Sequence, residues 1–443
     1  MFIQEVARPV FDAAKTELFE KLEKVFIIVF LILYSRGIVA LVLTGGASEG
    51  DGSGDFDFGI LTLFWMANYV ITACLFVVKW DIVKDRLMTI IFSNYFYWIF
   101  LMFIMLSTIW SERPDETFRA SIGMIGTVMF GAYIVSRYKL QEQIKLLVLF
   151  FGVVIGLSVL MVFVPGYGID HGKHAGAIRG IYTHKNIFGP IVTLSCATFL
   201  IYLKSSFCEH KKLAYLGFLA SFALVVGSRS SSSLLYTVLL VILIHAVEVL
   251  RLSGKLFAWA LGGFAALYFF VSTWWRSIFV YVLGLLGRDA TLTGRTDIWD
   301  VIIGKIQERL WFGYGFDGFW HGIYGESLYV RNALRWDLPN SHNGFLDLML
   351  GVGIIGFALL SLAIWVTFIK NIAVLRNRYA WVYTWPLVYI FYMLMINMSE
   401  SSLATQNTIQ AILMTICIAS TSLEFNDLFR EEAQPDLGSS IDV

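Results

Sequence analysis

The sequence predicts an all-α polytopic membrane protein with about 12 transmembrane helices and one long loop between the ninth and tenth. Three observations carry this. Hydrophobic residues fill 58% of the 443 positions and charged residues 15%, where soluble domains carry about 25% charged residues. The apolar residues run continuously over about 20 positions, enough to cross a core about 30 Å thick. They do not alternate as the strands of a spanning barrel would. The 33 Lys and Arg balance 33 Asp and Glu. With no basic stripe, nucleic acid is excluded as a partner, and the apolar excess excludes a disordered chain.

Residues 1–24 mix Glu, Lys, Asp and Arg at helical spacing. They predict a cytoplasmic amphipathic segment and no cleaved signal peptide. Residues 25–274 hold helices at 25–44, 59–78, 87–107, 120–136, 146–164, 187–203, 213–227, 232–250 and 256–274. A loop follows at 275–342, then helices at 343–368, 380–397 and 406–421. The tail 422–443, with Glu431, Glu432, Asp436 and Asp442, predicts disorder. With the N-terminus in the cytoplasm, 19 of the 33 basic residues fall on that side. The positive-inside rule then predicts that both termini are cytoplasmic. The cytoplasmic connections contain no GxxxxGK[ST] and no GxGxxG, so ATP is not the expected energy source. Cys74, Cys196, Cys208 and Cys417 lack CxxC spacing, which argues against zinc and against a disulfide framework.

This topology gathers the polar chemistry on the outward face. One segment carries Arg179, His184, Lys185 and Asn186 just before a helix, whose free N–H groups and positive dipole end suit a phosphate. An equally good reading is a basic loop touching lipid headgroups. A second is the turn at Ser228 and Arg229, where a cation sits outside against the charge trend. The long loop holds Arg295 and an amphipathic stretch at Ile302, Ile303, Ile306 and Leu310, which predicts a helix lying on the membrane face. Its glycine-aromatic run, Gly313 to Trp320, suits a turn stacked on a sugar ring, although loop packing is the better reading of Tyr314 and Trp320. The fourth segment is Ser341-His342-Asn343-Gly344, opening the tenth helix. A histidine titrates near neutrality and can act as a general base, with Asn343 or Asp347 near enough in sequence to orient its ring. Glu400, in the last outward loop, is a second candidate base or an arginine partner. No HExxH or Asp-x-Asp pair appears, so a metal is not expected. Arginines suit phosphate oxygens, so the set predicts a membrane site for a phosphorylated, lipid-linked molecule.

Several strings resemble the O-antigen ligase and Wzy-type polymerase family of bacterial envelope polysaccharide assembly. His342-Asn343, nine residues and then Gly353-Ile354-Ile355-Gly356 look like its His-Asn…Gly-x-x-Gly signature. Gly294-Arg295-Thr296 and Ser228-Arg229 look like its two arginine elements. The Arg179-Gly180…His184-Lys185-Asn186…Gly189 string and Trp110-Ser111-Glu112-Arg113-Pro114 are similar to exopolysaccharide polymerases of the ExoQ type. The resemblance implies a polyprenyl-diphosphate-linked oligosaccharide, probed from the periplasmic side of the bacterial inner membrane. It implies metal-independent inverting glycosyl transfer without a cofactor. His342 would take the acceptor proton, and Arg229 and Arg295 would stabilise the leaving diphosphate. Polysaccharide assembly and export proteins are further candidate partners. A ligase acting on a lipid A core shares the same site. A flippase is the rival from another class, but it needs polar groups along a path through the bilayer, and the spans hold only Arg36, His245, Glu248 and Asp347.

Overall fold

The computed structural model describes residues 2–46, 59–172, 174–250, 255, 259, 295–321, 325–335 and 338–433, side chains of 2–16, 249–250, 295–296 and 431–433 excepted. Among these residues the chain is helical and has no strand beyond one isolated bridge, Ile169 to Ile178. In order the helices are α1 (Phe2–Tyr34), α2 (Ile38–Leu43), α3 (Gly59–Val78), α4 (Trp80–Ser93), α5 (Tyr95–Leu106) and α6 (Pro114–Arg137). Then come α7 (Leu140–Val162), α8 (Lys185–Lys204), α9 (Lys211–Gly227), α10 (Ser231–Leu250), α11 (Arg295–Glu308) and α12 (Ser327–Leu334). The last three are α13 (Gly344–Asn377), α14 (Thr384–Ile396) and α15 (Ile409–Ala433).

Among the described residues seven helices are long and apolar enough to cross a membrane, or eight if α4 and α5 form one bent span. Helices also stand at the other expected positions, but α2, α9 and α14 are short. The expected ninth helix, 256–274, and residues 275–294 of the long loop lie outside the described residues. The windows of α6, α8 and α15 are 72%, 78% and 72% buried, against 22% for α3. The first three therefore form the centre and α3 an outer layer, its apolar surface suited to lipid.

Four departures from simple spans have identifiable causes. The first apolar run breaks at Ser35–Gly37, where Arg36 has φ 57° and donates to the carbonyls of Asn407 and Gln406. The third bends by 82° at Asn94. Its buried amide donates to the Ala363 carbonyl and to Thr367 Oγ1 at 3.1 and 3.0 Å, so the polar group finds its partners on α13. Helix α13 is interrupted at Gly353 (φ 61°, ψ −169°). The final helix continues to Ala433, through the first half of the expected tail, because Leu423 and Leu428 are buried and Glu424 pairs with Arg378 at 2.7 Å. Residues 434–443 lie outside the described residues.

The Gly353 break admits a neighbouring chain segment. A helix that loses a turn leaves backbone groups unpaired. Here the Leu350 carbonyl accepts from Tyr314 N, and Ile354 N donates to the Leu310 carbonyl, at 2.8 Å each. A Cβ at 353 would lie 2.4 Å from Trp311 backbone atoms, so only glycine fits. The Gly-x-x-Gly signature thus docks the long loop into a spanning helix.

Candidate active site

Loop 163–184 is organised around Arg179, which is 1% exposed. Its guanidinium donates to the carbonyls of Tyr167 (2.8 Å), Thr183 (3.0 Å), Gly166 (3.2 Å) and Gly46. Burial lowers its pKa, and Asp170 opposes that. His184 is the N-cap of α8; its Nδ1 accepts from Asn186 N at 3.1 Å. Its ring meets that of His174 edge to face at 5.4 Å. Lys185 and Asn186 are half-buried in the first turn. The same loop is stitched to the α9–α10 turn, since Ile178 N donates to the Gly227 carbonyl at 2.9 Å.

Arg229 sits in that turn with φ 51°. Ser228 Oγ accepts from Ser230 N at 3.3 Å and holds the turn. The Arg229 side chain is exposed, and Nη1 donates to the Ala175 carbonyl at 3.3 Å. No carboxylate pairs with it among the described residues. The two arginines of this region are therefore unlike. Arg179 is committed to carbonyls, while Arg229 keeps donors for a ligand.

His342 occupies the left-handed region, φ 53°, and its N–H donates to Asn340 Oδ1 at 2.9 Å. Histidine tolerates that conformation better than most residues. Asn343 caps α13 through Oδ1, which accepts from Phe345 N and Leu346 N at 3.0 and 3.2 Å. Asp347 accepts from Ser341 N and from Trp320 Nε1, at 3.1 and 2.9 Å to Oδ1. Both candidates for orienting the His342 ring thus also fix the backbone around it. A carboxylate buried at a helix start finds N–H donors sooner than an imidazole.

Two other segments close on this turn. Gly344 N donates to the carbonyls of Asn397 and Glu400, at 2.9 and 3.1 Å. A Cβ on Gly344 would meet Asn397 Oδ1 at 2.0 Å, so the glycine lets the last loop in. Helix α11 begins at Arg295, and one turn later Trp299 Nε1 donates to the Ser341 carbonyl at 3.0 Å. The Arg295 side chain lies outside the described residues. Ser399 meets Tyr236 of α10 at 3.0 Å. A chain of contacts therefore runs from the Arg229 turn along α10, through 399–400, to His342 and the start of α11.

The expected amphipathic helix exists as α11, but its apolar face turns inward. Ile298, Ile302 and Ile306 pack with Tyr314, Phe319, Val330, Leu338 and Leu350 in a small core of their own. That core offers α13 as a partner, and so lipid is not needed. Burial alone would lower the Lys305 ammonium on α11; its bonds to Glu326 (2.8 Å) and Glu308 (2.9 Å) outweigh that and raise it. Tyr314 packs, as expected, its hydroxyl donating to the Lys305 carbonyl at 3.0 Å. Burial pushes its pKa up to about 12.

The Trp110–Pro114 string holds the glycine-aromatic turn in place. Trp110 Nε1 donates to the Phe312 carbonyl at 3.0 Å, Glu112 N to the Tyr314 carbonyl at 3.2 Å, and Arg309 pairs with Glu112. The turn then walls a cavity of about 160 Å³ beside the start of α13. Its sides include Asp317, Trp320, Asn340, Asp347 and Gln406. Asp317, Asn340 and Gln406 were not legible as site residues. A Gly-Phe-Asp-Gly run, with Asp317 at φ 56°, was the available signal.

Comparison with known proteins finds two similarities. Residues 216–361 match the family model described as O-antigen ligase. The matched segment includes Arg229, Arg295 and His342, and it excludes Arg179, His184, Lys185, Asn186 and Glu400. The chain is also 24% identical over 301 residues to the exopolysaccharide production protein ExoQ of Rhizobium meliloti (strain 1021). That match covers 62% of this chain and 65% of the relative, just under two thirds of its length. The helical membrane fold, the signature residues in order and these two matches make the chain similar to the O-antigen ligase family over residues 216–361 and to ExoQ over much of its length.

Proposed function

We propose that the protein is a glycosyltransferase that joins lipid-diphosphate-linked oligosaccharide units into an exopolysaccharide at the periplasmic face of the bacterial inner membrane. The observation that carries this reading is the linkage of the Arg229 turn, the start of α11 and the His342 turn by hydrogen bonds at one end of the bundle. In this mechanism the acceptor hydroxyl attacks the anomeric carbon of the donor. A C–O bond forms there, the bond to the diphosphate oxygen breaks, and the leaving group carries off the electron pair. His342 accepts the hydroxyl proton. Arg229 and Arg295 hold the diphosphate, whose charge grows in the transition state, so fixed guanidiniums lower the barrier. The sugar–diphosphate bond supplies the driving force, and no nucleotide or metal is required. Glu400 supports the His342 turn through its carbonyl, and Arg179, His184, Lys185 and Asn186 shape the loop beneath Arg229.

Similarity to ExoQ favours a polymerase. The O-antigen ligase match favours the second reading, transfer of the chain to a lipid A core or another acceptor. Reconstitution decides. Purified protein is mixed with a synthetic polyprenyl-diphosphate oligosaccharide repeat in detergent, without metal or nucleotide, beside His342→Asn and Arg295→Ala. A ladder of products that both substitutions abolish is expected. Transfer only after addition of a lipid A core makes the protein a ligase. Absence of transfer to any acceptor by folded protein refutes the enzyme reading.

A further inference from the structure

The cavity beside α13 differs chemically from the arginine region. Among the described residues no Lys, Arg or His lines it. Its polar walls are two carboxylates, Asp317 and Asp347, the amides of Asn340 and Gln406, and the hydroxyls of Ser401 and Thr405, with the indole of Trp320 beside them. A diphosphate would meet two acids in this lining, while Arg36 and His321, the cations that act on Asp317, are not part of it. Hydroxyl groups fit, because carboxylate and amide oxygens accept from O–H and an indole offers an apolar face to C–H groups. At about 30 Å³ per water, a space of about 160 Å³ equals roughly five waters, room for a sugar ring and not for a chain.

The cavity is also wired to the catalytic turn. Asp347 accepts from Trp320 Nε1 and from Ser341 N, the residue before His342. Asp317 Oδ2 accepts from Gln406 Nε2 at 3.0 Å, which leaves Oδ1 with acceptor capacity. We infer that this cavity is the acceptor subsite: it takes the terminal sugar of an uncharged glycan and presents its hydroxyl to His342, while the donor diphosphate stays on the Arg229 side. This rests on the glycosyltransferase reading and adds to it a division of the site into an acidic acceptor half and a basic donor half. Desolvation raises the Asp317 pKa, with the Gln406 bond opposing; a protonated carboxyl there still bonds hydroxyls.

The test is calorimetric binding to the purified full chain, followed by kinetics. The probes are neutral oligosaccharide fragments, one to three repeats long, cut from the polymer of the producing cell, and inorganic pyrophosphate. The variants are Asp317→Asn, Gln406→Ala and Arg229→Ala. Asparagine tolerates the left-handed backbone at 317, so Asp317→Asn keeps the turn, and Gln406→Ala carries the test if it does not fold. Fragments should bind Asp317→Asn and Gln406→Ala at least tenfold more weakly, with pyrophosphate unchanged, and Arg229→Ala should show the reverse. Fragments that bind the native protein and both cavity variants equally, or do not bind the native protein, overturn the inference. So does an equal loss of pyrophosphate binding in the cavity variants. The two readings fail separately. Transfer with an unchanged acceptor KM in Asp317→Asn removes the cavity and keeps the enzyme; selective fragment binding without transfer does the opposite.

Discussion

The two ends of the bundle are built differently. Among the described residues, the non-glycine residues with positive φ are Arg36, Arg229, Asp317, Arg335, His342 and Asn407, and all lie in connections at the His342 end. Such backbone costs about 1–3 kcal/mol per residue and persists only where its surroundings hold it. At the opposite end the connections are short, and ion pairs tie them together as they do around α11. Arg378 binds Glu424, Arg137 binds Glu20 and Glu23, and Lys145 binds Glu209. That end has the larger cavities, about 540 and 830 Å³, and the walls of the first mix Arg86, Lys139, Arg378 and Arg430 with Asp85, Glu424 and Asp427. Volume therefore does not mark the site. Strained turns, and an exposed Arg229 with no carboxylate partner among the described residues, mark the candidate site instead.

Substitutions at four positions test this contrast. His342→Asn keeps a residue suited to positive φ and removes the base; transfer should fall about 10²–10⁴-fold with the protein still folded, measured as product formed per mole of monodisperse protein. A smaller loss with intact binding would shift the base to another group, Glu400 first. Arg229→Ala should lower the rate about 10²–10³-fold, and Arg229→Lys should recover only part, because an ammonium lacks the bidentate fork. Gly353→Ala should remove about 1–3 kcal/mol of stability and lower the rate as well, since the new Cβ meets the Trp311 backbone and pushes the glycine-aromatic turn off α13. Thermal unfolding in detergent measures it, and an unchanged midpoint would refute the docking role. Arg378→Ala should leave transfer unchanged while costing about 1–3 kcal/mol, because the half-buried Glu424 loses its ion-pair partner. A matching drop in rate would erase the distinction between the ends.

Much of the candidate site was legible residue by residue, and less of its wiring. His342, Arg229 and the start of α11 stand out because ionisable groups at helix mouths are rare in so apolar a chain. The roles of their neighbours were not visible. Asn343 and Asp347 looked able to steer the His342 ring, yet each satisfies backbone N–H groups nearer to it. Arg179 looked like a phosphate ligand, yet it holds four carbonyls. Which partner a polar side chain takes depends on segments far away in sequence, such as Gly46 for Arg179 and Trp320 for Asp347.

Apolar run length and the placement of charge, both local properties, determined that the chain is a helical membrane protein and roughly where its helices lie. A helix satisfies its own backbone in lipid, so the pattern along one segment suffices. Tertiary structure alone decided where those helices break and what the breaks accomplish. Asn94, Arg36 and Gly353 interrupt spans because backbone or side-chain groups from segments distant in sequence complete their hydrogen bonds. The same long-range pairing brought Asp317 and Gln406 together across 89 positions and made a cavity that no stretch of sequence contains.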